Sequence, residues 1–428
     1  MLLPRYTDAL ALVGYNTRAL NTAFSLAKRI AFNRQRSFSR FIIRLSVTAT
    51  AVSVMAMILT LSFVNGFQRT ISQKVFSFWG HIHVQHTEAE KSLVAEETPI
   101  SRNDTVERIL ASQPLAGRVQ VFATKSAVVA RKGELEGILF KGVDEHYDSS
   151  LLSRFMTAGH WLRFSDTLYS HDIVISASLS KKLNLQVNDT LLIYFISAGG
   201  NSAYRKLKVA GVYKTGIEEY DNLFALGDIR LLRRVNNWAG DRIGGYEIFL
   251  TDYSRMDAVA AQLTEELPPE WSARSIHSIY PNIFDWLNIQ DKNRTVVLII
   301  MSVVAIINLI TCLLILVLER TRMIGVLKAV GATDGLIRKI FLYQALFITA
   351  AGIGIGLIAG VGIGALQQAT GFIRLDESSY YVSAAPVYMI WWQIALVCIG
   401  TAVVCFLALL VPSLIVNRIR VVKAIEFR

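Results

Sequence analysis

The segment Glu319–Lys339 reads ERTRMIGVLKAVGATDGLIRK and lies between two long runs that contain no charged side chain. Thr295–Leu318 precedes it, and the second run extends from Ile340 to beyond Gly364. Both runs are longer than the roughly 20 apolar residues that cross a hydrocarbon core, so we predict two transmembrane helices. The segment between them is then a short connection at the membrane surface.

This connection has the pattern of a short amphipathic helix. Four apolar side chains recur at helical spacing and share one face: Met323, Val326, Leu327 and Val330. Arg320, Arg322 and Lys328 project elsewhere. Gly331 is predicted to form a left-handed C-terminal cap, and Thr333 to cap the start of the next helix. A short helix in this position suits a part that receives a push from a cytosolic partner.

The distribution of charge predicts the topology. The chain has 428 residues, is 53% apolar and carries a formal charge of +11, which in a soluble protein would favour nucleic-acid binding. The basic excess instead lies on alternate connections: +7 in 1–44, +3 in 319–339 and +3 in 417–428, against −1 in 65–294 and −1 in 369–386. By the positive-inside rule, the first three segments are cytosolic and the other two lie outside. We therefore expect membrane lipids, and no nucleic acid, as partners.

The predicted fold class is a membrane protein with four transmembrane α-helices in a 1+3 arrangement and a large α+β extracytoplasmic domain inserted between helices 1 and 2. The predicted divisions are a cytosolic arm with an interfacial elbow helix (1–40), transmembrane helix 1 (41–65), the outer domain (66–293), transmembrane helix 2 (294–318), the cytosolic connecting helix (319–339), transmembrane helix 3 (340–367), a short outer loop (368–390), transmembrane helix 4 (391–416) and a cytosolic tail (417–428).

Within the outer domain, short apolar runs bounded by turn residues predict strands and a few helices. The predicted strands are 81–85, 119–131, 135–143, 172–175, 190–196, 206–213 and 246–250, and the predicted helices are 177–183 and 254–267. After Asn65–Gln68 we predict an extended stretch, whose aromatic residues Phe76, Phe78 and Trp79 are expected in the outer headgroup belt.

Four glycines recur at intervals of four residues in predicted helix 3: Gly352, Gly356, Gly360 and Gly364. A phosphate-binding glycine loop must leave a strand and open a helix, whereas these glycines lie within one uncharged helix. The pattern therefore predicts close helix packing along this face and argues against a nucleotide site.

Three histidines with a nearby glutamate raise the question of a metal site: His81, His83, His86 and Glu88. In a strand the first two histidines share a face and the third points the opposite way, and the spacing matches no standard catalytic zinc motif. The sequence contains no Walker A pattern, no G-x-S-x-G and no H-E-x-x-H. We predict no catalytic residue, no metal ligand and no cofactor on this chain, so that any ATP is hydrolysed by another polypeptide.

The segment 319–332, ERTRMIGVLKAVGA, resembles the signature of the membrane subunits of the FtsX/MacB-type ABC transporter superfamily, whose pattern is close to ERTREIGIxxAxGA. Met323 stands where the superfamily usually has an acidic residue. The run 65–85, NGFQRTISQKVFSFWGHIHVQ, is similar to the segment after the first span in the lipoprotein-releasing (Lol-type) permeases. The match extends across spans two to four, so it covers both ends of the chain.

The resemblance implies that the connecting helix is a coupling helix, which sits in a groove of a separate ATPase. The implied coupling residues are Arg320, Arg322, Met323, Ile324, Gly325, Leu327, Lys328, Gly331 and Ala332. The outer domain would be a MacB-like periplasmic core, with porter-like parts at about 66–144 and 236–293 and an inserted lobe at about 145–235. One type of Lol permease receives the periplasmic carrier near the loop Ser197–Tyr204, where the short Gly-rich sequence favours a plain turn over a carrier dock.

The function implied by the resemblance is that of a permease subunit in the inner membrane, part of an ATP-driven ABC complex that extracts lipoproteins from the outer leaflet for transfer to a periplasmic carrier. The implied partners are an ATPase dimer that binds ATP and Mg, a second permease copy or homologue, the lipoprotein substrates and the carrier. Lipid chains are expected to enter at Val64, Asn65, Gly66 and Phe67. The alternatives are a mechanotransmitting regulator of a cell-wall hydrolase, a MacB-like exporter subunit and a membrane-anchored enzyme.

Overall fold

The computed structural model describes residues 38–87, 99–131, 133–164, 168–196 and 203–413. The predicted elbow helix, the cytosolic tail after 416 and most of the loop 197–204 lie outside these ranges. The described chain forms two compact units. The membrane unit comprises described residues 38–67, 288–373 and 385–413, and the outer unit comprises Gln68–Leu287 with Arg374–Ala384.

The helices and strands follow one another in this order. The helices are α1 (Phe38–Trp79), α2 (Asp104–Ser112), α3 (Ser150–Ser153), α4 (Ala177–Lys182), α5 (Glu218–Leu223), α6 (Ile229–Val235), α7 (Met256–Glu266), α8 (Ile276–Ile279), α9 (Pro281–Glu319), α10 (Thr321–Ala329), α11 (Asp334–Thr370), α12 (Glu377–Tyr380) and α13 (Trp391–Ser413). The strands are β1 (Ile82–His86), β2 (Ile100–Ser101), β3 (Ala116–Arg131), β4 (Glu134–Val143), β5 (Met156–Gly159), β6 (Asp172–Ser176), β7 (Thr190–Phe195), β8 (Ala203–Tyr213), β9 (Phe224–Asp228), β10 (Arg242–Ile243), β11 (Gly245–Leu250) and β12 (Trp271–Ser275).

Four helices in the described ranges are long and apolar enough to cross a membrane: α1, α9, α11 and α13. The outer unit is inserted between α1 and α9, and the other three spans follow it. The predicted 1+3 arrangement is therefore confirmed. The core of the membrane unit lies between α9 and α11, where Leu313, Leu316 and Phe341 are fully buried.

Helix α1 is longer than the sequence analysis predicted. The stretch after Asn65–Gln68 is not extended, because α1 continues as a regular helix to Trp79. Phe76, Phe78 and Trp79 are buried in the outer unit, so their assignment to the headgroup belt was wrong. The physical reason is the helical spacing of the apolar residues in this stretch, which gives them one continuous face to bury against the domain.

Ten strands of the described chain form one mixed sheet in the order β12-β1-β11-β3-β4-β9-β6-β8-β5, with β7 paired to β3 and β8. Most pairs are antiparallel, and β4–β9 and β6–β8 are parallel. All seven predicted strands are present. Two of them, β3 and β4, form a hairpin with Gly133 in its turn, and the φ of Gly133 is +92°. With the helices that connect these strands, the outer unit has the predicted α+β class.

Several elements were missed. Helix α2 is capped by Asn103, whose side chain accepts bonds from the backbone N–H groups of Thr105 and Val106, and its first turn contains two acidic residues. This capping signal was available in the sequence. Strand β9 has only five residues, all of them buried, and so shows no alternation of apolar and polar residues. Its last two residues, Gly227 and Asp228, are typical of a turn, and the strand was therefore missed.

Candidate functional site

Helix α10 is a short, well-terminated helix between two membrane spans. Its C-terminal end is a Schellman motif, in which the N–H of Gly331 donates to Lys328 O at 3.0 Å and the N–H of Ala332 donates to Leu327 O at 2.9 Å. The φ of Gly331 is +97°, a conformation that side chains with a Cβ rarely adopt. The structure thus has the left-handed cap that the sequence predicts.

The corner between α10 and α11 is held by two further contacts. Thr333 is the N-cap of α11, and its hydroxyl accepts a bond from Leu336 N at 3.4 Å. Lys328 Nζ lies 2.8 Å from Asp334 Oδ1, which joins the last turn of α10 to the first turn of α11. These contacts fix the position of the end of α10 relative to the start of α11.

The predicted apolar face of α10 is divided in the structure. Ile324 and Gly325 are buried, and Met323 and Leu327 pack half-buried against the cluster between α9 and α11. Val326 and Val330, assigned to the same face as Leu327, are instead 53% and 84% exposed. The inward-facing side of α10 is therefore centred on Ile324, which is buried in this cluster, and not on the predicted face of Met323, Val326, Leu327 and Val330.

An exposed stripe results on the opposite side of α10. Arg322, Val326 and Val330 follow at intervals of four residues, so they lie above one another on one face. All three are exposed. We call these residues the exposed stripe. A cation beside two exposed valines is a surface that can contact a partner by both charge and apolar burial.

The glycines of α11 lie against α1. A Cβ at Gly352 would lie 2.7 Å from Thr50 Cβ, and one at Gly356 would lie 2.6 Å from Ala51 O. A Cβ at Gly360 would lie 3.2 Å from Ile58 Cβ, whereas Gly364 faces Met389. Residue numbers rise together along both helices, so α1 and α11 run in the same direction at a distance that only glycine permits.

The residues predicted for lipid entry are closely packed within this chain. Val64, Asn65 and Gly66 are buried. Asn65 Nδ2 donates to Gln393 Oε1 at 2.7 Å, and Arg294 Nη1 donates to Asn65 Oδ1 at 3.4 Å, which joins α1, α9 and α13. A Cβ at Gly66 would lie 2.2 Å from Pro386 O. The entry of lipid chains here, with Phe67, stays a prediction.

A buried ion pair at the end of α1 was missed by the sequence analysis. Lys141 Nζ lies 2.7 Å from Glu247 Oε1, and both side chains are completely buried. The same ammonium donates to Phe78 O at 2.5 Å and lies 4.3 Å from the centre of the Trp79 ring. A cation here binds carbonyls that a helix C-terminus leaves unsatisfied and also meets the negative end of the helix dipole.

Burial dominates the electrostatics of this pair. It lowers the pKa of Lys141 and raises the pKa of Glu247, and the attraction between the two groups opposes both shifts. The only sequence signal was a lysine at position 141, between Leu139 and Val143 on one face of an apolar strand. Its partner is more than 100 residues away, so the pairing itself was not predictable.

The histidines near β1 have partners within the protein. His83 Nε2 lies 2.9 Å from Trp79 O and so carries the proton that it donates, and Leu250 N donates to His81 Nδ1 at 2.7 Å. Burial lowers the pKa of His83 to about 3 and that of His81 to about 4, so both are neutral near pH 7. In the described ranges, which exclude Glu88, no three His, Cys, Asp or Glu side chains are grouped to hold a metal ion.

We expect Gly331→Ala to destabilise the corner after α10 by about 1–2 kcal/mol, because a Cβ is strained in the left-handed conformation. Thermal unfolding of the detergent-purified chain measures the effect. Gly335→Ala is the matched control, since no described atom lies within 4 Å of a Cβ at this helical position. If the two variants have equal melting temperatures, the cap does not stabilise the corner.

Comparison with known proteins gives two family matches. Residues 45–266, which are more than half of the chain, match the family described as MacB-like periplasmic core domain. Residues 295–421 match the family described as FtsX-like permease C-terminal. The first match ends at the last residue of α7, and the second begins within α9, which leads from the outer unit into the second span.

Several relatives are similar to nearly the whole chain. The lipoprotein-releasing system transmembrane protein LolC of Neisseria meningitidis serogroup B is 23% identical over 92% of this chain and 96% of its own length. The LolE protein of the same system in Haemophilus influenzae is 20% identical over 92% of this chain and 96% of its own length. The Haemophilus influenzae LolC protein is 24% identical over 80% of this chain and 84% of its own length.

These matches confirm the resemblance noted from 319–332 and 65–85. They cover both the inserted outer domain and the three following spans, in the order that the structure has them. The chain belongs to the MacB-like periplasmic core domain family and is an ABC-type permease with an FtsX-like C-terminal region.

Proposed function

We propose that this chain is the permease subunit of an ATP-driven complex that extracts lipoproteins from the outer leaflet of the inner membrane and transfers them to a periplasmic carrier. The observation that carries the proposal is the exposed stripe on a capped helix between two spans. The cargo class is suggested by the names of the relatives whose match covers 92% of this chain. The large domain is periplasmic and both termini are cytosolic in this proposal.

The physics of the cargo explains why ATP is needed. Each buried CH₂ of an acyl chain contributes about 0.8 kcal/mol to membrane attachment, so a lipoprotein with two or three chains is not released spontaneously. The sequence contains no Walker A pattern. A separate ATPase dimer, with its ATP and Mg, supplies the work, and a second permease copy or homologue completes the complex.

The contacts of α10 suggest how force enters. The ATPase contacts Arg322, Val326 and Val330, and the remaining predicted coupling residues hold the helix in place. Movement of α10 passes to α11 through the cap at Gly331 and the Lys328–Asp334 ion pair. The movement passes onward to α1, because the row of glycines Gly352, Gly356 and Gly360 (the glycine row) leaves no space between α1 and α11. Lipid chains then enter beside the outer part of α1, near Val64–Phe67.

We expect Val326→Glu to reduce ATPase binding and lipoprotein release at least about tenfold, because a carboxylate in the contact loses its hydration. The measurement is copurification of the ATPase from the native membrane, followed by release of a lipoprotein from proteoliposomes to its soluble carrier. Val326→Ile is the matched control, since it preserves an apolar contact at the same position. Unchanged ATPase binding in Val326→Glu would remove α10 as the coupling element.

Gly325 and Leu327 are less suitable positions for this test. Gly325 is buried, and Leu327 packs against the apolar core of the membrane unit, so charged substitutions at either position disrupt α10 itself. The identity of the copurified cargo decides between the candidate functions. Acylated lipoprotein in the native complex supports extraction, whereas a bound cell-wall hydrolase without lipoprotein would overturn it in favour of a mechanical regulator.

A further inference from the structure

The segment Arg374–Ala384, between α11 and α13, is folded with the outer unit. A bridge between Arg374 and Ala384 and a bond from Leu375 N to Ser383 O at 3.0 Å close it into a compact loop around α12. Tyr381 ends α12 in the left-handed conformation, with φ of +59°. The loop therefore presents Glu377 and the Tyr381 carbonyl in a defined geometry.

Two lysines of the outer unit bind this loop. Lys74, on α1, donates from Nζ to Tyr381 O at 2.7 Å. Lys214, which follows β8, forms an ion pair with Glu377. The hydroxyl of Tyr381 donates to Glu219 Oε1 at 3.3 Å. The loop is thus attached to three parts of the outer unit: α1, the residue after β8, and α5.

The receiving turn is shaped to admit the loop. Gly216 has φ of +75°, and a Cβ there would lie 2.5 Å from Glu377 Oε1 and 2.8 Å from Lys74 Nζ. The buried carboxylate of Asp221 fixes the turn by accepting bonds from Thr215 N at 3.0 Å, Thr215 Oγ1 at 2.8 Å and Gly216 N at 2.9 Å. Glycine at 216 therefore serves both the backbone and the close approach of the two charged groups.

We propose that Lys74, Lys214, Gly216, Glu377 and Tyr381 form a latch that fixes the loop between spans three and four to the periplasmic domain as one body. Three residues separate the end of α11 from the loop, and six residues separate the loop from the start of α13. The latch gives these two spans their own connection to the domain, besides the continuous helices α1 and α9. Its role in transmission rests on the proposed function, whereas the attachment of the loop does not.

The latch is tested by charge reversal in the full permease–ATPase complex. Lys214→Glu places two carboxylates together, and Glu377→Lys places two cations together beside Lys74. We expect each single variant to reduce hydrogen-exchange protection of residues 376–381 by about threefold to tenfold, as an ion pair that is partly exposed allows. The double variant Lys214→Glu/Glu377→Lys is expected to restore most of it. Unchanged protection in both single variants would overturn the latch.

A comparison of alanine substitutions at two glycines with positive φ tests whether the latch needs the space at Gly216. Gly216→Ala and Gly133→Ala both place a Cβ at positive φ, but no described atom lies within 4 Å of a Cβ at Gly133. We expect only Gly216→Ala to reduce the protection of 376–381. Equal effects of the two variants on this segment would show that the latch does not depend on the space at Gly216.

A second readout reports on transmission. We expect Lys214→Glu to lower the lipoprotein released per ATP hydrolysed by about threefold or more, with ATPase binding unchanged, and the double charge swap to recover it. If protection changes and the release ratio does not, the latch holds the loop but transmits nothing, and the transmission half is wrong. If the wild-type complex releases no lipoprotein, the proposed function fails while the exchange measurement still decides the latch.

Discussion

Lys141→Met is expected to lower the free energy of unfolding of the outer unit by about 3–5 kcal/mol. The substitution keeps an unbranched side chain of similar length but leaves the carboxylate of Glu247 completely buried without its cation. It also removes the ammonium that binds Phe78 O at the C-terminal end of α1. Denaturant unfolding of the full chain, followed by limited proteolysis of the outer unit, measures the loss.

The loss should depend on pH in a defined direction. Without Lys141 nothing opposes the effect of burial, so the pKa of Glu247 rises further above its ordinary value of 4.5. The folded variant then holds a proton that the unfolded chain releases above pH 4.5, so its stability falls as the pH rises above that value. We expect the difference from wild type to be smaller at pH 5 than at pH 7.5.

Two further variants isolate the buried charge. Lys141→Met/Glu247→Leu removes both charges, and we expect it to recover more than half of the loss, because apolar residues can replace a buried ion pair. Lys182→Met breaks the half-exposed Lys182–Glu136 pair and should cost about 1 kcal/mol or less. If Lys141→Met lowers the free energy of unfolding no more than Lys182→Met does, the buried pair does not stabilise the outer unit.

Local sequence patterns were sufficient for the elements that depend on local physics. The four spans followed from the length and apolar composition of their segments, and the cap at Gly331 and the N-cap at Thr333 followed from the conformational preferences of those residues. The long hairpin of β3 and β4 followed from a turn signal between two β-rich runs.

Tertiary contacts decided the rest. The side of α10 that faces inward depends on how Ile324 fits between α9 and α11, which the pattern of α10 alone does not contain. Lys141 pairs with a residue on another strand, and Lys214 pairs with a loop beyond the third span. The predicted end of α1 was too early, because the aromatic residues after Gln68 were assigned to the headgroup belt from their composition, although the apolar residues there have helical spacing.

Gly356→Leu is expected to destabilise the membrane unit by about 3 kcal/mol, near the upper end of the usual range for overpacking. A Cβ at this position would lie 2.6 Å from Ala51 O and 2.8 Å from Val54 Cβ, and the first of these atoms belongs to the backbone of α1. Backbone cannot move aside as a flexible side chain does, so α1 and α11 must separate. The yield of monodisperse, folded chain in mild detergent and its melting temperature measure the effect.

Gly354→Leu is the matched control within the same helix. It lies two residues away, and no atom of the described chain lies within 4 Å of a Cβ at Gly354, so a leucine there extends into open space. Because leucine also favours a helix more than glycine does, we expect this variant to be neutral or slightly stabilising. Opposite signs at 354 and 356 would show that α1 and α11 must touch along the glycine row for the membrane unit to be stable. Equal and small effects would mean that the two helices can separate without cost, and the proposed transmission from α10 to α1 could not then pass through this contact.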